Sequence, residues 1–157
     1  MRRKLLTVCG NDRRDLGMRT ERWEHFPHDA DVGIRGYGRT PSQAFEQAAM
    51  AMIAVITDPA SVQLVQSVEL ECTAPDLETL FVDWLNRLVL EMATRSIIFA
   101  RFEVAITGEC LRARAWGEPV SDEKHQPATE VKGATFTALS VAQDETGRWL
   151  AQCVLDV

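Results

Sequence analysis

The sequence predicts an α+β fold: a single domain in which a mixed β-sheet carries two main helices on one face. Three observations lead there. Two segments repeat apolar residues at helical spacing, each behind a capping residue. At least five others alternate apolar and polar residues as half-buried strands do. Most of the links between those strands read as hairpin turns. A chain of 157 residues is one domain by length and has enough material for a core. Its 46% apolar content and mean hydropathy of -0.13 belong to an ordinary globular protein.

Val32 to Tyr37 reads as the first strand, with glycines at 33, 36 and 38 that suggest close backbone approach or a bulge. Thr40 is a helix N-cap, with Pro41 at the first helical position and Gln43 set to complete a capping box. The helix then presents Phe45, Ala48, Ala49, Met52, Val55 and Ile56 on one face, and Asp58-Pro59 ends it. Val62, Leu64, Val68, Leu70 and Cys72 alternate as one or two strands. Asp76 caps a second helix whose apolar face is Leu77, Leu80, Phe81, Trp84, Leu88 and Met92. Strand-like runs follow at 98–107, 110–116, 134–142 and 148–155, with turns at Thr107-Gly108-Glu109 and Asp144-Glu145-Thr146-Gly147. Between them, 117–130 is polar with two prolines and reads as a long loop, a class that is often functional.

Charge divides the chain unevenly. Residues 1–22 hold seven basic and three acidic groups; residues 23–157 hold ten basic and twenty acidic. A domain at -10 is poorly suited to gripping phosphates directly, which takes Lys and Arg. It suits a metal ion or a basic partner protein better. Residues 1–22 lack periodicity and read either as a loose tail or as an extension ahead of a true start at Met18. Their short apolar stretch, followed at once by Asn11-Asp12-Arg13-Arg14-Asp15, does not make a signal peptide. No apolar run approaches the ~18 residues of a membrane span. Cys9, Cys72, Cys110 and Cys153 show no paired spacing, which points to free thiols in a reducing cytoplasm.

The densest chemistry lies in Trp23-Glu24-His25-Phe26-Pro27-His28-Asp29-Ala30-Asp31, just before the first strand. The chain closes on Leu155-Asp156-Val157. If the first and last strands are neighbours, Asp31 and Asp156 share an oxygen-rich site, and two carboxylates held together invite a hard cation such as Ca²⁺ or Mg²⁺. His25 and His28 with Asp29 and Asp31 suggest zinc only weakly, since no convincing four-ligand set completes them. Surface hydrogen bonding is the plainer reading for these histidines, with His28 a candidate support beside the metal. His125, Glu130 and Lys132 flank or end the long loop and are candidates for charge beside the cation or for contact with a partner. No P-loop, nucleophile elbow, kinase signature or dinucleotide fingerprint is present, nor any obvious nucleophile–base pair.

The W-E-H-x-x-H-x-A-D-V-G-I-R-G-Y-G run at 23–38 resembles the opening of the archease family. Four further blocks resemble it in order: Thr40-Pro41-Ser42-Gln43-Ala44-Phe45-Glu46; Leu80-Phe81-Val82-Asp83-Trp84-Leu85-Asn86; Lys124-His125-Gln126-Pro127 on to Glu130-Val131-Lys132; and Arg148-Trp149-Leu150-Ala151-Gln152 with Asp156-Val157. The resemblance implies a non-catalytic protein that activates an RtcB-type RNA ligase in tRNA splicing and RNA repair. That ligase joins 2′,3′-cyclic-phosphate or 3′-phosphate ends to 5′-hydroxyl ends with GTP and metal, so RNA and GTP are reached only through it. By the same resemblance, the metal ligands are Asp31, Asp156 and a backbone carbonyl of Val157, whose chain-end carboxylate is a further oxygen. The implied cation is divalent: Ca²⁺, with Mg²⁺ or Mn²⁺ as alternatives. Many relatives carry an aromatic residue and then a histidine after the lysine that matches Lys132; here Phe136 is followed by Thr137. The rival reading is a stand-alone metal-dependent phosphohydrolase, against which the missing nucleophile–base pair counts.

Overall fold

The computed structural model describes residues 22–157. The readings of residues 1–21, Met18 and Cys9 among them, lie outside the described residues. The α+β class stands, with two main α-helices, one short α-helix and a 3-10 turn at Pro59–Ser61 among the described residues. In order, the elements are β1 (Arg22–His28), β2 (Asp31–Gly38), α1 (Pro41–Ile56), β3 (Gln66–Thr73), α2 (Leu77–Arg95), β4 (Ile97–Thr107), β5 (Cys110–Pro119), α3 (Asp122–His125), β6 (Gly133–Ala134), β7 (Ser140–Gln143) and β8 (Trp149–Asp156). The strands divide between two sheets instead of forming one. The first has the order β1-β2-β8-β6, with β7 also on β8; the second is β3-β5-β4. All paired neighbours are antiparallel. The division follows from the connections: α1 leads from β2 in one sheet to β3 in the other, while α2 carries β3 over to β4, which lies on the far side of β5.

A single core joins the inner faces of both sheets to the two helices. Gly36 brings α1 onto β2: a Cβ there would lie 2.3 Å from the Ala44 carbonyl oxygen and 2.3 Å from the Ala48 nitrogen. This is the close approach that the glycine spacing suggested. Thr40 accepts from the Gln43 N–H, as a cap should, but the Gln43 side chain reaches one residue further back and accepts from the Arg39 N–H. Helix α1 is buried on more than its predicted stripe, since Ala44, Ala51 and Ile53 are also enclosed. Its Glu46 accepts from the Val104 N–H and its Ser42 from the Ile106 N–H, so α1 covers the outer edge of β4. In α2, capped by Asp76 as expected, Val82 and Leu85 join the predicted face. The Trp84 indole N–H donates to the Phe45 carbonyl, which ties the two helices together.

Two expectations change, and the choice between one and two strands ahead of α2 is decided. Trp23 to His28 is a strand, β1, that forms a hairpin with β2; its Pro27 is tolerated because β1 is an edge strand. Only one strand lies between the helices, because the backbone ahead of Gln66 is held elsewhere: the Gln63 N–H donates to the Glu118 carboxylate and the Val65 N–H to the Gly117 carbonyl. The predicted 134–142 run is split into β6 and β7. Residues 135–139 form a bulge against β8: the Thr135 N–H and hydroxyl both donate to the Val154 carbonyl, the Thr137 carbonyl accepts from the Val154 N–H, and Ala138 takes a φ of 54°. Among the described residues no helix is long and apolar enough to cross a membrane. Cys72, Cys110 and Cys153 are free thiols, and burial raises the pKa of Cys153 to about 12.

Candidate metal-binding edge

Strand register assembles the site. Strands β2 and β8 pair through Val32↔Leu155, Gly33↔Val154 and onward. One further step sets Asp31 level with Asp156. On the other side of β2, Asp31 pairs with His28; on the other side of β8, Asp156 pairs with Gly133. His28, Asp31, Asp156 and Gly133 therefore form one row across four strands. Residues paired in register share a face, and faces alternate along a strand. Ile34, Gly36, Ala151 and Cys153 lie on the α1 side and are buried. Asp31 and Asp156 belong to the opposite, solvent side. Asp31 is half-buried and Asp156 exposed.

The turn before Asp31 needs Asp29 in the left-handed region, at a φ of 51°, which aspartate tolerates. The next row along has the Phe26 ring seated over Gly33, with the Arg35 guanidinium 4.6 Å from the ring centroid. Beyond it, Arg35 and the Tyr37 hydroxyl both donate to Glu24, in that order of effect on its pKa, which they hold below the ordinary value. This ordered surface stiffens the strands that present the two aspartates. Among the described residues neither Asp31 nor Asp156 has its carboxylate in an ion pair or a side-chain hydrogen bond, so both stay available to a ligand. The Asp156 carbonyl is already used: it accepts from the Lys132 N–H at 2.8 Å.

The donor chemistry fits a hard cation, which takes oxygen ligands and fills its shell with carbonyls and water. Among the described residues no group of three or more His, Cys, Asp or Glu side chains stands in metal-holding proximity. A cation here would have to rest on two carboxylates supplemented by backbone oxygen. Zinc at the histidine pair is ruled out by the strand: residues three apart point to opposite faces. His25 belongs with Ile34 on the α1 side, where its Nε2 lies 2.8 Å from the Ala51 carbonyl oxygen. His28 shares the row of Asp31, with its Nδ1 3.9 Å from the Asp29 carboxylate.

The long loop behaves differently from its sequence. Strand β5 runs on to Pro119 and α3 adds one turn, so less of it is irregular than expected. His125 is no surface contact, because its side chain is 1% exposed. Its Nδ1 accepts from the Ser121 N–H, which leaves the Nε2 proton to donate to Glu118 at 2.9 Å. The Thr57 hydroxyl donates to the His125 carbonyl and the Ala128 N–H to the Ile56 carbonyl, binding the loop to the end of α1. Glu118 is the hub. It receives Lys124, the Gln63 N–H and His125, which together lower its pKa from 4.5 to about 2. Nothing in the sequence marks Glu118, whose partners lie 6, 55 and 7 residues away. Glu130 and Lys132 are exposed and end an apolar groove of about 620 Å³ lined by Ile56, Met92, Ile98 and Val131. Thr137, where many relatives are expected to carry histidine, is exposed beside Phe136, and its carbonyl accepts from the Val154 N–H.

The depressed pKa of Glu118 makes a stability prediction. A carboxylate held below its unfolded value stabilises the fold at pH above that value, and the contribution fades as pH falls through the folded pKa. Glu118→Gln should therefore lower the unfolding midpoint at pH 7 and have much less effect at pH 2. Thermal unfolding of both proteins across this range checks it; parallel curves would show that Glu118 is not the loop's electrostatic anchor.

A sequence model of the Archease protein family (MTH1598/TM1083) matches residues 23–157. Protein archease of Pyrococcus abyssi is 39% identical over 141 residues, covering 87% of this chain and 99% of the relative. Protein archease of Sulfolobus acidocaldarius is 35% identical over 138 residues, with the same two coverages. The solution structure of protein 1598 of Methanobacterium thermoautotrophicum superposes with a TM-score of 0.76 at 34% identity, covering 86% of this chain and 98% of that one. The match takes in every element of the fold and the whole carboxylate row, and this chain belongs to the archease family.

Proposed function

We propose that this protein is a metal-binding activator of an RtcB-type RNA ligase, acting in the cytoplasm in tRNA splicing and RNA repair, and that it catalyses no reaction itself. The observation that carries the reading is the row that sets Asp31 level with Asp156 at the solvent end of the first sheet. Family membership supports the choice of the ligase as partner. Asp31, Asp156 and the backbone carbonyl of Val157 would hold a divalent cation, Ca²⁺ by preference. Bound there, it would supply positive charge to nucleotide phosphate or to a shared ligand of the ligase.

The chain's own residues act by presentation. Two adjacent antiparallel strands hold the carboxylates at fixed spacing, so little ordering entropy remains to be lost on binding. His28 flanks Asp31 in the same row and can hydrogen-bond to a carboxylate that binds the cation. Glu130 and Lys132 stand as exposed charges on the segment that runs alongside Asp156, suited to meeting the ligase surface. The net charge of -10 over residues 23–157 favours encounter with a basic, phosphate-binding partner. Ligation by a cognate ligase, measured with and without this protein, tests the reading. The protein alone should join no RNA and hydrolyse no nucleotide, while its addition should raise multiple-turnover ligation. Ligation by the protein alone, or no effect on guanylylation and turnover, would refute the proposal.

A further inference from the structure

Strand β6 is only two residues long, too short to hold its place by pairing with β8 alone. Its free edge is completed by a side chain. Asn86, on α2, accepts from the Ala134 N–H at 2.8 Å through Oδ1 and donates to the Ala134 carbonyl at 3.3 Å through Nδ2. One carboxamide thus makes both hydrogen bonds that a neighbouring strand residue would make. Its orientation is dictated by its partner, because a backbone N–H can only donate and a carbonyl only accept. Around this point, Ala134 pairs with Leu155, Gly133 with Asp156, and the Lys132 N–H donates to the Asp156 carbonyl.

From this geometry we infer that Asn86 is a positioning residue for the carboxylate row: it clamps β6 to α2, and β6 in turn fixes the end of β8 where Asp156 stands. The inference rests on the cation reading above for its functional consequence, but not for the clamp itself. The Lys132–Asp156 bond sets the direction of the Asp156 carbonyl and hence the rotation of the peptide group that leads to Val157. Without the clamp, the segment at 132–134 frays and the last peptide of β8 becomes free to turn. Asn86 is exposed and lies outside the apolar core, so its loss acts locally rather than by unfolding the domain.

Amide hydrogen exchange and Ca²⁺ calorimetry on the full chain separate the two parts. In Asn86→Ala, the Lys132 and Ala134 amides should exchange at least about tenfold faster, while amides of the β2–β8 ladder keep their rates. Ca²⁺ affinity should fall by roughly 10-fold, the low end of what supporting groups cost, with the metal-free unfolding midpoint near the wild type. Asn86→Asp keeps the acceptor for the Ala134 N–H and loses the donor, so it should restore part of the protection at Ala134. Unchanged exchange at Lys132 in Asn86→Ala overturns the clamp. Faster exchange with wild-type Ca²⁺ affinity overturns the positioning role. If the wild-type protein binds no Ca²⁺, the cation reading fails and the positioning role fails with it, an outcome distinguished by an intact exchange result.

Discussion

Asp31→Ala and Asp156→Ala should each lose Ca²⁺ binding while keeping the fold. Each removes one of two carboxylates in a single cross-strand row, so the drop in affinity should exceed the roughly 10–100-fold that supporting groups of metal sites cost. The metal-free proteins should unfold at the wild-type temperature or slightly above it. Like charges opposite one another on antiparallel strands cost roughly 0.2–1 kcal/mol, and either substitution relieves that repulsion. Added Ca²⁺ should raise the unfolding temperature of the wild type and leave both variants unmoved, because only a protein that binds the ion in its folded state gains from it. Calorimetric titration and thermal unfolding with and without Ca²⁺ check both halves. Unchanged affinity in the two variants would put the cation elsewhere.

Gly36→Val should be the most damaging single substitution among the glycines of β2. The new Cβ would meet the backbone of α1 at two points, the Ala44 carbonyl oxygen and the Ala48 nitrogen, each at 2.3 Å. Backbone cannot swing aside as a side chain does, so α1 must lift from the sheet. Overpacking typically costs 1–3 kcal/mol, and a clash with two helix backbone atoms should cost about 3 kcal/mol or more. Urea denaturation should show a lower midpoint with an unchanged slope. A wild-type midpoint would mean that α1 does not rest on β2 at this point. Because α1 backs the strands that carry the site, the same variant should also weaken Ca²⁺ binding.

What could be read from the sequence was what depends on local chemistry. The caps at Thr40 and Asp76, the helix faces around Phe45 and Trp84, and the turns at Gly108 and Gly147 are each encoded within a few residues. The possible meeting of Asp31 and Asp156 was also readable, since it needed only that the first and last strands be neighbours. The row that contains them was not, because it depends on the register of β2 against β8, segments more than a hundred residues apart in sequence. Strand β1 was hidden by its polar and proline-containing sequence, which only an edge strand accepts. His125 looked like a surface group because its loop is polar; its burial depends on Glu118 and Thr57, which local pattern does not connect to it. Asn86 closes the family-like block at 80–86, but it is exposed, sits in a helix and carries no charge, so its local pattern does not distinguish it from a solvated side chain.

Activation of an RtcB-type ligase through the paired aspartates, as proposed above, has a direct readout. Multiple-turnover ligation of RNA with a 3′-phosphate end to RNA with a 5′-hydroxyl end, by a cognate ligase, tests it most directly. Three samples suffice: ligase alone, ligase with the wild-type protein, and ligase with the Asp31→Ala/Asp156→Ala double variant. The wild type should raise the number of turnovers per ligase, and the double variant, folded but without its carboxylate pair, should give the rate of ligase alone. A wild-type protein without effect would rule out activation, and a double variant that activates as well as the wild type would rule out the aspartate pair as its source.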